Sequence, residues 1–398
     1  MKSAKRVLDN GMTVIYERRM TDSVAIEILV RVGSDFENDS NRGISHFVEH
    51  MVFEGTKSRG ARELAEEIES TGGEINAATY QDKTSYYAVV PKKYFIRALD
   101  VLADILINPS FESEKIEKEK RVALDELTML EDDPLHFSFK NFMLTLFEKL
   151  PARYLSYGTR ETIRGLTKEQ VLNYFREHYA GKNIIVSIAG DVRDPFNAVK
   201  KFFEKMPRGT RSLIQLPKEP EQGKHKIKRF KRDTQHAYVV CGFKAAKILD
   251  RDYYTLEVIK AILAKGQSSR LFNEARTKRG LCYVISAVNE ANMHCGFFAV
   301  FFTCEKTNVE KVLKIVEDEI KLNGLDKKEL RSAKDFLIGS FLIANERTKD
   351  RAEENAFWHL FNKKPSFYIR GIRRVSVRDV KTCIRKYFKK HTIVITSP

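Results

Sequence analysis

The sequence predicts an α+β chain of two homologous domains that arose by duplication. A length of 398 residues with a 42% hydrophobic fraction suffices for two domains, each with its own core. Period-two alternation and helical periodicity follow one another along the first half, so strands and helices are interleaved. The duplication is visible directly. Residues 171–179, Val-Leu-Asn-Tyr-Phe-Arg-Glu-His-Tyr, and the apolar Ile184-Ile185-Val186 recur as residues 380–388 and Ile393-Val394-Ile395, at a constant offset of 209.

Taken in order, residues 7–14 read as a strand, an Asn10-Gly11 turn and a second strand. Residues 24–33 alternate as a central strand that Gly33 ends. A helix carrying residues 46–50, within the stretch 42–53, comes next, and residues 60–71 form another, with Leu64 and Ile68 on one face and Gly72-Gly73 as its stop. Residues 74–79 and 84–90 pair as a hairpin across residues 81–83. Pro91 opens a helix to residue 107, Asn108-Pro109 closes it, and a long charged helix spans residues 113–130. A helix at 167–179, a buried strand at 184–188 and a helix at 196–206 complete the first domain, residues 1–206. Residues 207–223 read as a linker, and residues 224–398 as the second, homologous domain.

Composition narrows the function classes. No run of 18 uncharged apolar residues occurs, so a spanning helix is not expected, and with residues 7–14 already reading as strand, turn and strand a signal peptide is not expected either. Five cysteines, an odd number without Cys-x-x-Cys spacing, suit free thiols in a reducing compartment, and cytoplasmic residence is the expectation. The net charge of +16 raises the question of nucleic acid. Its densest run, residues 224–232, reads instead as a lysine-protected edge strand, so neither a nucleic-acid nor a membrane partner is expected.

The chemistry concentrates in His46-Phe47-Val48-Glu49-His50. On a helix, His46 and His50 fall four apart on one face, the spacing with which two imidazoles grip one zinc ion while Glu49 stands beside it. A merely polar helix face is the plain alternative. Ile44, Phe47, Val48, Met51, Val52 and Phe53 oppose it, because a buried histidine pair beside a carboxylate calls for a cation. Comparison of the two halves supplies a third ligand. At the 209 offset Thr255, Val258 and Ile259 stand where His46, Glu49 and His50 stood, and at an offset of 210, one residue longer, the segment 119–126 has a counterpart in 329–336 in which Glu126 has become Phe336. Residues lost together are most simply residues that worked together. The expected set is therefore one Zn2+ per chain on His46, His50 and Glu126, with Glu49 as general base towards a water whose pKa the metal lowers. Glu119, two turns before Glu126, is placed to hydrogen-bond a ligating imidazole.

These motifs, the 75 residues between His50 and Glu126, and the segments Gly73-Glu74-Ile75-Asn76-Ala77-Ala78-Thr79, Ser268-Ser269-Arg270-Leu271-Phe272 and Gly280-Leu281-Cys282-Tyr283 resemble the pitrilysin and mitochondrial processing peptidase family of inverted zinc metallopeptidases. The short, two-domain branch is the better match, and the resemblance covers essentially the whole chain. It implies two similar α/β sandwich domains, each an antiparallel sheet with helices packed on it, and a closed chamber built from four such domains. A homodimer, or a heterodimer with a sister subunit, would complete that chamber. It further implies cleavage of short or unfolded peptides, with the strand of Asn76 and Ala77 pairing with the substrate backbone. Arg276 and Tyr283 match a pair that faces the metal from another domain and steadies the oxyanion. The loop at residues 264–267 is poorer in glycine than is usual in the family. A partner subunit without activity and a basic polyanion-binding module are the competing readings.

Overall fold

The computed structural model describes residues 3–398, and the chain forms two compact units. The first comprises Met1–Leu127, Leu155–Gln215 and Ala344–Pro365, and the second Thr128–Tyr154, Leu216–Ile343 and Ser366–Pro398. A linear division at 206–224 is thus crossed by two helices. Each follows the long helix of its own half of the sequence but belongs to the other unit.

Strands β1 (Ser3–Val7), β2 (Thr13–Arg18), β3 (Ser23–Val30), β4 (Glu74–Thr79), β5 (Thr84–Pro91) and β6 (Ile184–Gly190) form the sheet of the first unit, in the order β1-β2-β6-β3-β5-β4. The turn after β1 carries Gly11 at φ +85°, where Lys182 also crowds the space a Cβ would fill. The sheet is mixed rather than the antiparallel one that the resemblance implies. β2 and β3 run in opposite directions, and β6 inserts between them after a long helical crossover, so it must run parallel to one; that one is β2. β3 ends at Val30, earlier than its alternation suggests, because Ser34–Phe36 already forms a helical turn.

β3 is buried on both faces, and its residues divide by parity. Val24, Ile26, Ile28 and Val30 face the main core, which they share with helices α1 (Ile44–Phe53), α2 (Ala61–Glu69) and α3 (Phe95–Ile107). α4 (Ser113–Asp132) adds Ile116 and Ala123 to it. Ala25 and Leu29 face the opposite side, where the helix Thr348–Leu360 lays Ala352 and Ala356 against them. Polar contacts fix that helix. Arg351 Nε lies 2.9 and 2.8 Å from the two carboxylate oxygens of Glu17 on β2, and Asn355 Nδ2 donates to the same carboxylate at 3.0 Å. α3 begins at Phe95 rather than Pro91, since Pro91 closes β5 and residues 92–94 make a separate turn.

The second unit repeats the plan with β7 (Lys226–Lys231), β8 (Ala237–Lys244), β9 (Cys282–Ala291), β10 (Gly296–Cys304) and β11 (Thr392–Ser397), in the order β7-β11-β8-β10-β9. Again one pair is parallel, β11 with β7. Helix Pro134–Leu146 covers this sheet, with Phe142 and Leu146 packed among Val240, Ala299 and Val394. The basic run of residues 224–232 supplies the edge strand β7, largely exposed. The helix Arg251–Ala264 stands where α1 stands in the first unit, and its Thr255, Val258 and Ile259 are buried. All five cysteines are buried and unbridged. Among the described residues no helix is long and apolar enough to cross a membrane.

Candidate metal centre

α1 starts from Gly43, whose φ of +90° favours glycine. Its first turn is capped from a distance, since the N–H groups of Gly43 and Ser45 donate to Glu37 at 2.8 and 3.0 Å. Burial pushes the Glu37 carboxyl up to about 7 even so. Ile44, Phe47, Val48, Met51 and Val52 bury the core-facing side of α1, which leaves His46, Glu49 and His50 on the remaining side, facing α4. On α4 Glu119 and Glu126 lie two turns apart on one face, so both reach His50, and Glu126 reaches His46 as well.

The three expected ligands converge. One ligand atom from each of His46, His50 and Glu126 lies within 4.8 Å of the other two. Glu126 Oε2 is 3.7 Å from His46 Nε2 and 3.5 Å from His50 Nε2. Zinc bonds of about 2.0–2.1 Å at tetrahedral angles hold ligand atoms roughly 3.4 Å apart, so this cluster fits a zinc ion with little movement. The donor set, two imidazole nitrogens and one carboxylate oxygen, suits zinc as well.

Glu119 completes the support. Its carboxylate, 5% exposed, faces Nδ1 of His50 at 3.4 Å, which fixes a proton on Nδ1 and turns the Nε2 lone pair towards the cluster. That hydrogen bond, working against burial, holds the Glu119 carboxyl below the usual range. For His50 burial disfavours the charged ring, but Glu119, Glu126 and Glu49 outweigh it and its pKa is raised. His46 goes the other way. Burial and the neighbouring His50 hold it down at about 3, so it is a neutral imidazole with a free lone pair at any ordinary pH.

Glu49 sits beside the cluster, and burial raises its pKa although the Thr79 hydroxyl donates to it. A raised carboxyl is a better proton acceptor near neutrality than an exposed one. Thr79 is the last residue of β4, the outer strand of the sheet. Asn76 and Ala77 lie on the same strand. Asn76 is exposed, and its Oδ1 accepts the Ala77 N–H at 2.8 Å, so that N–H points away from β5 towards the open edge.

Arg276 and Tyr283 belong to the second unit. Arg276 lies in the π-helical stretch Phe272–Thr277 with its guanidinium over the Phe272 ring. Tyr283, half-exposed near the start of β9, donates to Glu305 at 2.9 Å and packs against the ring of His236. Two residues near the metal cluster are absent from the sequence-based expectations. Thr79 anchors Glu49, and Tyr157 sets its ring edge-on against His46 with centroids 4.7 Å apart. A threonine closing a strand and a tyrosine in a loop carry no periodic signal. Gly158 beside Tyr157 was the one available cue.

Comparison with known proteins agrees with this architecture. The family description Insulinase (Peptidase family M16) matches residues 13–159, and that of the Peptidase M16 inactive domain matches residues 165–337. A protein of Rickettsia felis named an uncharacterized zinc protease is 32% identical, covering 97% of this chain and 95% of its own. YmxG of Bacillus subtilis, with the same description, is 29% identical over 98% and 97%. The chain belongs to peptidase family M16. Among solved structures, a protease from Helicobacter pylori superposes with a TM-score of 0.93 at 23% identity, covering 100% of this chain and 99% of that one. A Pseudomonas fluorescens structure described as a peptidase M16 inactive domain gives 0.91 at 20% identity, covering 100% and 98%, so the two-unit fold is shared.

Proposed function

We propose that this chain is a zinc-dependent endopeptidase acting on short or unfolded peptide segments. The observation that carries the reading is the convergence of His46, His50 and Glu126 with Glu49 beside them. Zinc held by these three residues supplies a Lewis acid and a water of lowered pKa. Glu49, steadied by Thr79, takes the proton of the attacking water and returns it to the leaving amine. Glu119 is a positioning residue that keeps His50 in the ligating tautomer. The open edge of β4 at Asn76 and Ala77 receives the substrate as an added strand, which selects extended backbone and tolerates varied side chains.

In this reading the working enzyme is a homodimer, or a heterodimer with a sister subunit, in which Arg276 and Tyr283 of one chain face the metal centre of the other and stabilise the oxyanion. The primary test is zinc content together with cleavage of a quenched, unstructured peptide. Stoichiometric zinc and cleavage that a chelator abolishes are expected; a zinc-free or inert protein would sink the proposal. Assembly is tested by mixing Glu49→Gln with Tyr283→Phe. After random exchange half of the dimers are mixed, and half of their sites are intact. Activity should then return to roughly a quarter of wild type if the sites are independent. Recovery absent despite demonstrated exchange would rule out the shared site.

A further inference from the structure

We propose that Tyr157 is a positioning residue of the metal centre, whose ring fixes the His46 imidazole with Nε2 turned to His50 and Glu126. The inference rests on the zinc reading above and adds to it the device that orients one of the two imidazoles. The two histidines are supported differently. His50 is held through Nδ1 by Glu119, whereas no hydrogen bond reaches Nδ1 of His46 among the described residues. A ligating imidazole without a partner on its second nitrogen turns freely about its outer side-chain torsion unless packing stops it. Here packing does so from two sides. The ring of Tyr157 meets that of His46 at 4.7 Å and 76°, and the ring of His50 meets it at 4.5 Å and 64°.

The seat of Tyr157 is itself built into the backbone. Gly158, at φ +76°, lies so close to the entry of α1 that a Cβ there would fall 2.3 Å from the carbonyl oxygen of Arg42. Gly43, at φ +90°, returns the contact, since its Cβ would fall 2.9 Å from both the Tyr157 carbonyl oxygen and Gly158 Cα. Thr162 Oγ1 then donates to the Arg42 carbonyl at 2.7 Å and ties the following helix to the same point. Two glycines and one hydrogen bond thereby lock the Tyr157 loop to the first turn of the helix that carries His46. Motion of the loop relative to His46 is what this contact removes.

The test measures metal affinity rather than turnover. Full-length protein is loaded with zinc, and its affinity is read by competition with a chromogenic chelator; the cobalt-substituted protein reports coordination geometry through its visible absorption. Tyr157→Phe keeps the ring and should hold zinc within about twofold of wild type. Tyr157→Leu should weaken zinc about 10- to 100-fold, the range typical of lost support around a metal ligand, and should alter the cobalt spectrum. Gly158→Ala, which pushes the loop off the helix, should act in the same direction with the tyrosine still present. Equal zinc affinity and an unchanged cobalt spectrum in folded Tyr157→Leu would overturn the proposal, as would a Phe variant as weak as the Leu variant, since the hydroxyl and not the ring would then matter. If Tyr157→Leu does not fold, Gly158→Ala against Tyr157→Phe decides by the same readouts. A wild-type protein that binds no zinc would instead count against the endopeptidase reading, so the two failures are distinct.

Discussion

Arg351→Met removes the cation that holds the exchanged helix Thr348–Leu360 on its sheet. Glu17 is 1% exposed, and the substitution takes away both Nε contacts, at 2.8 and 2.9 Å, while Asn355 keeps its 3.0 Å bond. Stranding a buried carboxylate typically costs about 3–5 kcal/mol. The surviving Asn355 bond brings the expectation to the lower end, about 3 kcal/mol. The double variant Glu17→Gln/Arg351→Met leaves a neutral amide that Asn355 still satisfies, so most of the loss should be recovered, with a coupling of about 2 kcal/mol. The assay is supplied by the chain, because its single tryptophan, Trp358, is buried on this same helix and bonded to Glu354. Urea unfolding followed by its fluorescence reads the docking directly. A midpoint for Arg351→Met no lower than that of the exposed control Arg347→Met would refute the argument. So would a double variant as unstable as the single one.

Glu49→Gln should keep stoichiometric zinc and lose peptide hydrolysis by at least about 100-fold, since only the proton acceptor is removed; zinc analysis beside a peptide assay checks both halves. Glu126→Gln should weaken zinc itself, and undiminished retention against a mild chelator would move the third ligand elsewhere. Glu119→Gln should cost about 10- to 100-fold in zinc affinity through His50, measured by the same competition. Stability should also fall with rising pH. Glu27 lies fully buried on β3 and burial lifts its carboxyl to about 8 from 4.5, so the folded state holds an extra proton across that window and loses stability as pH rises through it. The slope is about 1.4 kcal/mol per pH unit for one such group, and Glu27→Gln should flatten the pH profile of thermal unfolding by that amount. Asp35, Glu37 and Glu354, pushed to about 8, 7 and 7 mainly by burial, would sustain the remaining slope.

The convergence of His46, His50 and Glu126 was legible because its parts obey short rules. His46 and His50 announce a helix face by spacing, and Glu126 is exposed by its replacement with Phe336 in the second half, a residue that is 43% exposed in the folded chain. Strand positions followed from alternation, as in Val24, Ile26 and Ile28. The exchange of helices was not legible. The periodicity of residues 348–360 marks a buried face, yet Ala352 and Ala356 fit any flat apolar sheet and do not say whose. The parallel entry of β6 was hidden for a related reason, because a fully apolar strand such as Ile184–Gly190 pairs equally well in either direction. Tyr157 escaped because its role comes from a close approach of two glycines far apart in sequence.

The exchanged helices also set a timetable for synthesis. Glu17 emerges from the ribosome among the first residues, but its guanidinium partner is 334 positions downstream. Until that helix arrives, the outer face of the first sheet, with Leu29 and Ile185, has no cover from its own half of the chain, because the helix that half encodes goes to the other unit. Joining points so distant costs loop-closure entropy that grows only as the logarithm of length, so the finished protein bears the arrangement easily. The nascent chain bears it less well, exposing an apolar sheet face for nearly the whole of translation. A gene cut between the halves should accordingly yield fragments that stay incomplete apart and recover when expressed together.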